Sequence, residues 1–269
     1  MEKNILQKAI SSLNVKKGKY RLIPHKEGWL KFLEDGDLVF KPSELRQIIE
    51  KVINEFPPGG NKLLYLRNRC NFTVTAEYKA YRPEEALERF ITISNSGKFY
   101  NQVPIGGKKE SIDIGIEESE SRFVFVELKP WSSTNSPLYA IVESLKNLIL
   151  YRIIHRNNIT HDKNCKHYKH IDLIILAPSF YYQDYGLTET AQKEISNVKK
   201  ALNDLSSEFE TNISLVSLEL KEQDFMNKLK SICEERKIDR QQPIYISELD
   251  AIPELARDKW ELLVESDKK

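Results

Sequence analysis

Residues 111–130, SIDIGIEESESRFVFVELKP, decide how this chain reads. SIDIGIE (111–117) and RFVFVELKP (122–130) are rich in β-branched and aromatic residues, and the polar EESES lies between them. They predict two successive strands joined by a short turn. Strand geometry sends residues i and i+2 to one side, so Glu127 and Lys129 share a face. Asp113 lies on the preceding strand, where Ile112, Ile114 and Ile116 can bury the opposite face. The spacing therefore brings two carboxylates and an ammonium towards one another.

Working outward, KFYNQVPI (98–105) predicts a third strand, joined to the first pair through IGGKKE. PEEALERFITIS (83–94) reads as a short helix, with Pro83 near its first turn and glutamates suited to the positive end of its dipole. After ELK, Pro137 to His155 predicts a longer helix, with Ser136 or Asn135 as its cap. IDLIILAP (171–178) follows as a strand whose continuous apolar run suits a sheet covered on both faces. The order of helix, three strands, helix and strand predicts an α/β unit. Upstream, PSELRQIIEKVINEF (42–56) repeats apolar residues at helical spacing and stops at Pro57-Pro58-Gly59-Gly60, and residues 63–81 suggest one or two strands. Downstream come a charged helix over 189–209, a strand ISLVSLEL (213–220), a helix over 223–236 and a terminal helix over 252–264. This divides the chain into an N-terminal α+β region (1–82), a core (83–187) and a C-terminal extension that completes or flanks it (188–269).

The balance of 41 Lys+Arg against 40 Asp+Glu in 269 residues hides a division. Residues 1–187 hold 28 basic and 22 acidic side chains, and residues 188–269 hold 13 and 18, so a modest basic bias falls on the predicted core. Local clustering on such a chain can build a binding face, and solvated helices in the tail give the same arithmetic. Three scattered cysteines form no CxxC pair and no even framework, which predicts a reduced, cytoplasmic protein rather than a disulfide scaffold. Residues 1–10 carry no apolar leader, and no uncharged run is long enough to span a bilayer, so secretion and a membrane partner are not expected. No GxxxxGK[ST] loop occurs, so no phosphate-binding motor motif is present.

Asp113 and Glu127 offer hard oxygen ligands for a divalent cation, and Lys129 can orient water and neutralise negative charge. Phosphodiester hydrolysis needs that combination. The Glu127–Lys129 spacing fits an edge-strand or outward-facing ion pair as well. The helix 83–94 adds Glu84, Glu85 and Glu88, of which Glu84 and Glu88 flank the apolar face of Leu87, Phe90 and Ile91 one turn apart.

The helix PEEALERF, the IDIG and ELK segments and the strand IDLIILAP together resemble the PD-(D/E)xK nuclease superfamily over roughly residues 83–178. The resemblance implies a restriction-endonuclease-like mixed central sheet flanked by helices, with N-terminal and C-terminal extensions. It places Asp113 at the motif's aspartate, Glu127 at its second acid and Lys129 at its lysine, and it expects a carboxylate from the first helix, here assigned to Glu88. Ile112 stands where the family often has proline. Asp113, Glu127 and Glu88 would then hold Mg²⁺, with Mn²⁺ as a substitute, for an endonuclease acting on DNA. A non-catalytic DNA-binding or protein-interaction component on the same fold is the alternative, and a homodimer or a protein partner is open to either.

Three further features carry two readings each. On the helix after ELK the resemblance expects an accessory polar residue, giving Glu143 to a metal-bound water and Lys146 to phosphate. A surface Glu143–Lys146 pair with a solvent-facing Asn147 fits the spacing equally. Trp131 suits base stacking or core anchoring. The segment 155–170, HRNNITHDKNCKHYKH, and the GGKK turn at 106–109 suit a nucleic-acid backbone or hydrated connectors, and His161, Cys165, His167 and His170 lack the spacing of a familiar zinc module.

Overall fold

The computed structural model describes residues 25–55, 66, 71–73, 82–95, 97–105, 110–131, 133–157, 168–188, 190–237, 243–245, 247 and 249–267. Among them the sequence folds into an open mixed sheet of six strands with helices on both faces. The GGKK turn, most of the histidine-rich segment, Cys70, Cys165 and the Pro57–Gly60 stop lie outside the described residues. No described helix is long and apolar enough to cross a membrane.

In chain order the elements are α1 (Lys26–Asp35), α2 (Pro42–Glu55), β1 (Asn71–Thr73), α3 (Pro83–Ser94), β2 (Phe99–Pro104), β3 (Ser111–Glu117), β4 (Arg122–Leu128), α4 (Pro137–Asn157), β5 (His170–Pro178), α5 (Ser179–Asp184), α6 (Gln192–Phe209), β6 (Ile213–Leu218), α7 (Glu222–Glu235), β7 (Pro243–Tyr245) and β8 (Trp260–Glu265). The sheet order is β2-β3-β4-β5-β6-β8, and β1 pairs with β7 in a separate two-stranded ladder. β2, β3 and β4 form an antiparallel meander, β4, β5 and β6 run parallel, and β8 returns antiparallel to β6. The long helix α4 is the crossover that a parallel β4–β5 pair requires.

Alternation along β4 explains the two layers. Phe123 and Phe125 enter one core with α1, α2, α4 and α6, whereas Val124, Val126 and Leu128 enter the other with α3 and α7. α4 is buried nearly all round, from Leu138 to Ile154, because sheet and helices enclose it. Ser136 caps it, its hydroxyl accepting the Tyr139 N–H at 3.2 Å. Gly115 is required by close approach: a Cβ there would lie 2.5 Å from Phe123 Cζ.

The terminal helix expected over 252–264 does not form. Two 3₁₀ turns, Pro253–Leu255 and Arg257–Lys259, lead into β8. Tertiary pairing overrides the local pattern, because β6 offers an unpaired edge and WELLVE can supply a strand to it. The preceding turns are fixed by the end of α3: Ser94 Oγ accepts the Ile252 N–H at 2.8 Å, and Asn95 Oδ1 accepts the Arg257 N–H at 2.7 Å. β6 and β8 thereby complete the sheet that β2–β5 begin.

Candidate metal centre and its lysine

Asp113 stands where the β3–β4 ladder opens. The last paired residues at that end are Ile114 and Val126. One step beyond, the Asp113 carboxylate takes the place of a strand carbonyl and accepts the Leu128 N–H at 2.9 Å. α3 brings its glutamates to the same place, because Ala86, Leu87, Phe90 and Ile91 fix its apolar side in the core, with Phe90 edge-on to Phe225 at 5.6 Å. Glu84 and Glu88, one turn apart, then approach Asp113, and each of the three offers an oxygen within 4.8 Å of the other two.

Glu88 is 1% exposed. Its oxygens accept hydrogen bonds from Gln102 Nε2 at 2.7 and 2.8 Å and from Arg89 Nη1 at 3.1 Å. Burial nevertheless pushes its carboxyl up to about 8, with Glu84 and Glu85 adding to the rise against Gln102 and Arg89. Burial likewise raises Asp113 well above the usual range, reinforced by Glu88 and Glu84, and it raises Glu84.

Glu127 on the central strand β4 and Lys129 just past its end are both buried, so neither the edge-strand nor the outward-facing pair describes them. Lys129 Nζ donates to Glu127 Oε1 at 2.6 Å and to Glu143 Oε2 on α4 at 3.1 Å. Burial alone would lower the Lys129 ammonium, but Glu127, Glu143 and Asp113 hold it well above its ordinary value. Burial, Asp113 and Glu143 raise Glu127. Burial also acts to raise Glu143, but Lys129, a hydrogen bond with Glu127 and Lys146 bring it below the usual value. The two carboxyls are thus pushed in opposite directions around the one ammonium, Glu127 up and Glu143 down.

The structure thus brings Asp113 and Glu88 together and adds Glu84, whose signal was its place one turn before Glu88. Glu127 lies within electrostatic reach of Asp113 while its carboxyl engages Lys129. Gln102 carried no comparable signal. Lys146 does not form the surface pair: it is buried and donates to Glu110 Oε2 at 2.5 Å, and Asn147 is buried beside it. Trp131 anchors the loop after β4, donating to Leu220 O at 2.9 Å and lying 5.3 Å from the Phe225 ring.

The donor set of Glu84, Glu88 and Asp113 fits a hard divalent cation. All three supply oxygen, and trans oxygens stand about 4.2 Å apart across Mg²⁺ and about 5 Å apart across Ca²⁺. The raised carboxyls state the same need electrostatically. Glu84, Glu88, Asp113, Glu127 and Glu143 outnumber Lys129 and Arg89, and Lys146 is committed to Glu110. No family model, no curated protein and no solved structure matches the chain.

Proposed function

We propose that this protein is a Mg²⁺-dependent deoxyribonuclease of the restriction-endonuclease-like kind, an endonuclease of the PD-(D/E)xK type. The observation that supports it best is the convergence of Glu84, Glu88 and Asp113 at the opening of β3 and β4, with Lys129 two residues beyond Glu127. Asp113 and Glu88, joined by Glu84, would hold the cation, and Glu127 is the further acid within reach of Asp113. When bound, a divalent cation polarises a phosphate and supplies an activated water. Lys129, held protonated by Glu127 and Glu143, donates hydrogen bonds and positive charge to an anionic transition state rather than accepting a proton.

The test is cleavage of duplex, single-stranded and branched DNA in Mg²⁺, with Mn²⁺ as substitute. Wild type cuts at least one substrate, and Asp113→Ala and Lys129→Ala, verified as folded by circular dichroism, lose the activity. Equal cleavage by both variants and wild type refutes the assignment. One observation favours the second reading, a non-catalytic DNA-binding or interaction component: Glu127 and Lys129 are 6% and 4% exposed. DNA binding without divalent cation and without cleavage of any substrate would establish that reading instead.

A further inference from the structure

Gln102 lies inside β2 yet has φ 49°, in the left-handed region that penalises a residue bearing a Cβ. The β2–β3 register pairs Asn101 with Ile114 and Val103 with Ile112, and the place between them, Gln102 opposite Asp113, carries no ladder pair. The faces change over at that point as well. Val103 and Ile112 belong to the core under α4, whereas Ile114 belongs to the core under α3. Its side-chain amide is aimed at one group: Nε2 donates to both oxygens of Glu88, at 2.7 and 2.8 Å.

An amide suits this place better than a cation would. It fixes a carboxylate in orientation while leaving its negative charge available, and Glu88 already has one cationic neighbour in Arg89 at 3.1 Å. Without Gln102 the Glu88 carboxylate keeps Arg89 Nη1 as its donor and loses the two bonds that fix its plane. We infer that Gln102 is a positioning residue for the cation site, a strained strand residue that aims Glu88 at the ion shared with Asp113 and Glu84. This rests on the divalent-cation reading of those carboxylates.

Mn²⁺ binding by the full chain, followed through the electron paramagnetic resonance signal of free Mn²⁺, tests it on wild type, Gln102→Ala and Gln102→Gly, with thermal unfolding measured in parallel. Both variants lose the amide, but alanine keeps the left-handed strain that glycine relieves. The expected result is a loss of affinity of roughly 10- to 100-fold, equal in the two variants, although Gln102→Ala unfolds at the lower temperature. Affinity that stays at the wild-type value, or that recovers in Gln102→Gly along with stability, overturns the positioning role alone. A wild-type protein that takes up no Mn²⁺ overturns the cation reading itself, and the role of Gln102 with it.

Discussion

Replacing Glu88 by glutamine should change the pH dependence of folding, with a sign and size that follow from burial. In the unfolded chain this carboxyl ionises near 4.5, and in the folded protein burial pushes it up to about 8. Between those values the unfolded chain releases a proton that the folded chain retains. The stability associated with the protonated group is complete below about 4.5 and is lost as pH rises through about 8. The slope is about 1.4 kcal/mol per pH unit, so roughly 3–4 kcal/mol disappears between pH 5 and pH 8. That is a large part of the 5–15 kcal/mol typical of a folded domain. Asp113 and Glu127 are raised for the same reason and steepen the decline, so the informative quantity is the difference between wild type and Glu88→Gln.

At pH 5 the neutral carboxyl and the amide should be matched within about 1 kcal/mol, the worth of one hydrogen bond. At pH 8 the variant should be the more stable by roughly 3 kcal/mol. Urea unfolding in a chelator, repeated at half-unit pH intervals, measures both curves. Adding Mn²⁺ at about 100 times its Kd should return about 2.7 kcal/mol to wild type at pH 8 and less to the variant. A difference between the two proteins that stays constant from pH 5 to pH 8 would refute the reasoning.

Three further perturbations probe the supports of the site. Lys146→Met leaves the partly buried Glu110 without its ammonium, and urea unfolding should record a loss of about 1–3 kcal/mol; a change below about 0.5 kcal/mol would show that the pair is dispensable. Gly115→Ala forces a methyl against Phe123 and should cost about 1–3 kcal/mol in thermal unfolding, part of which Phe123→Leu in the same chain restores; independent, additive losses would contradict the close approach. Trp131→Phe keeps a ring against Phe225 but removes the donor to Leu220 O, and should lose about 1 kcal/mol against about 3–5 kcal/mol for Trp131→Ala; equal losses would assign the residue's whole contribution to its hydrogen bond.

The strands carrying Asp113, Glu127 and Lys129 were legible because strand period is local. Every second residue of RFVFVEL faces the same way, whatever the sheet does around it. The helices at 83–94 and 137–157 were legible from their prolines and apolar spacing. Legibility ended wherever a distant partner decides. WELLVE becomes a strand only because β6 leaves an edge for it, and PEL and RDK are held as turns by Ser94 and Asn95, some 160 residues away. Lys146 reads as a surface lysine until Glu110 is seen opposite it. Gln102 lies in a stretch whose alternation predicts an ordinary strand, and its left-handed backbone has no counterpart in the sequence pattern.

The carboxyl cluster costs the fold stability. Buried ion pairs are commonly matched or exceeded in stability by apolar side chains of similar volume, and a buried carboxyl with a raised pKa weakens the protein at neutral pH. Glu88 and Glu127 are buried, Asp113 is partly buried, all three are raised, and they stand together with Glu84 and Glu143 rather than dispersed through the interior. The cluster also occupies the place where the sheet can accommodate it. β3 and β4 cease pairing at Ile114 and Val126, β2 turns at Gln102, and α3 presents one edge to the opening while its apolar side is fixed between strands and α7. A purely structural network has no need of that opening, since Arg122 and Asp172 form a charge pair within the regular β4–β5 ladder. Carboxyls gathered beyond their cations, at a break in the hydrogen-bonded sheet and beside a lysine held protonated, form an arrangement whose electrostatic deficit a divalent cation would correct.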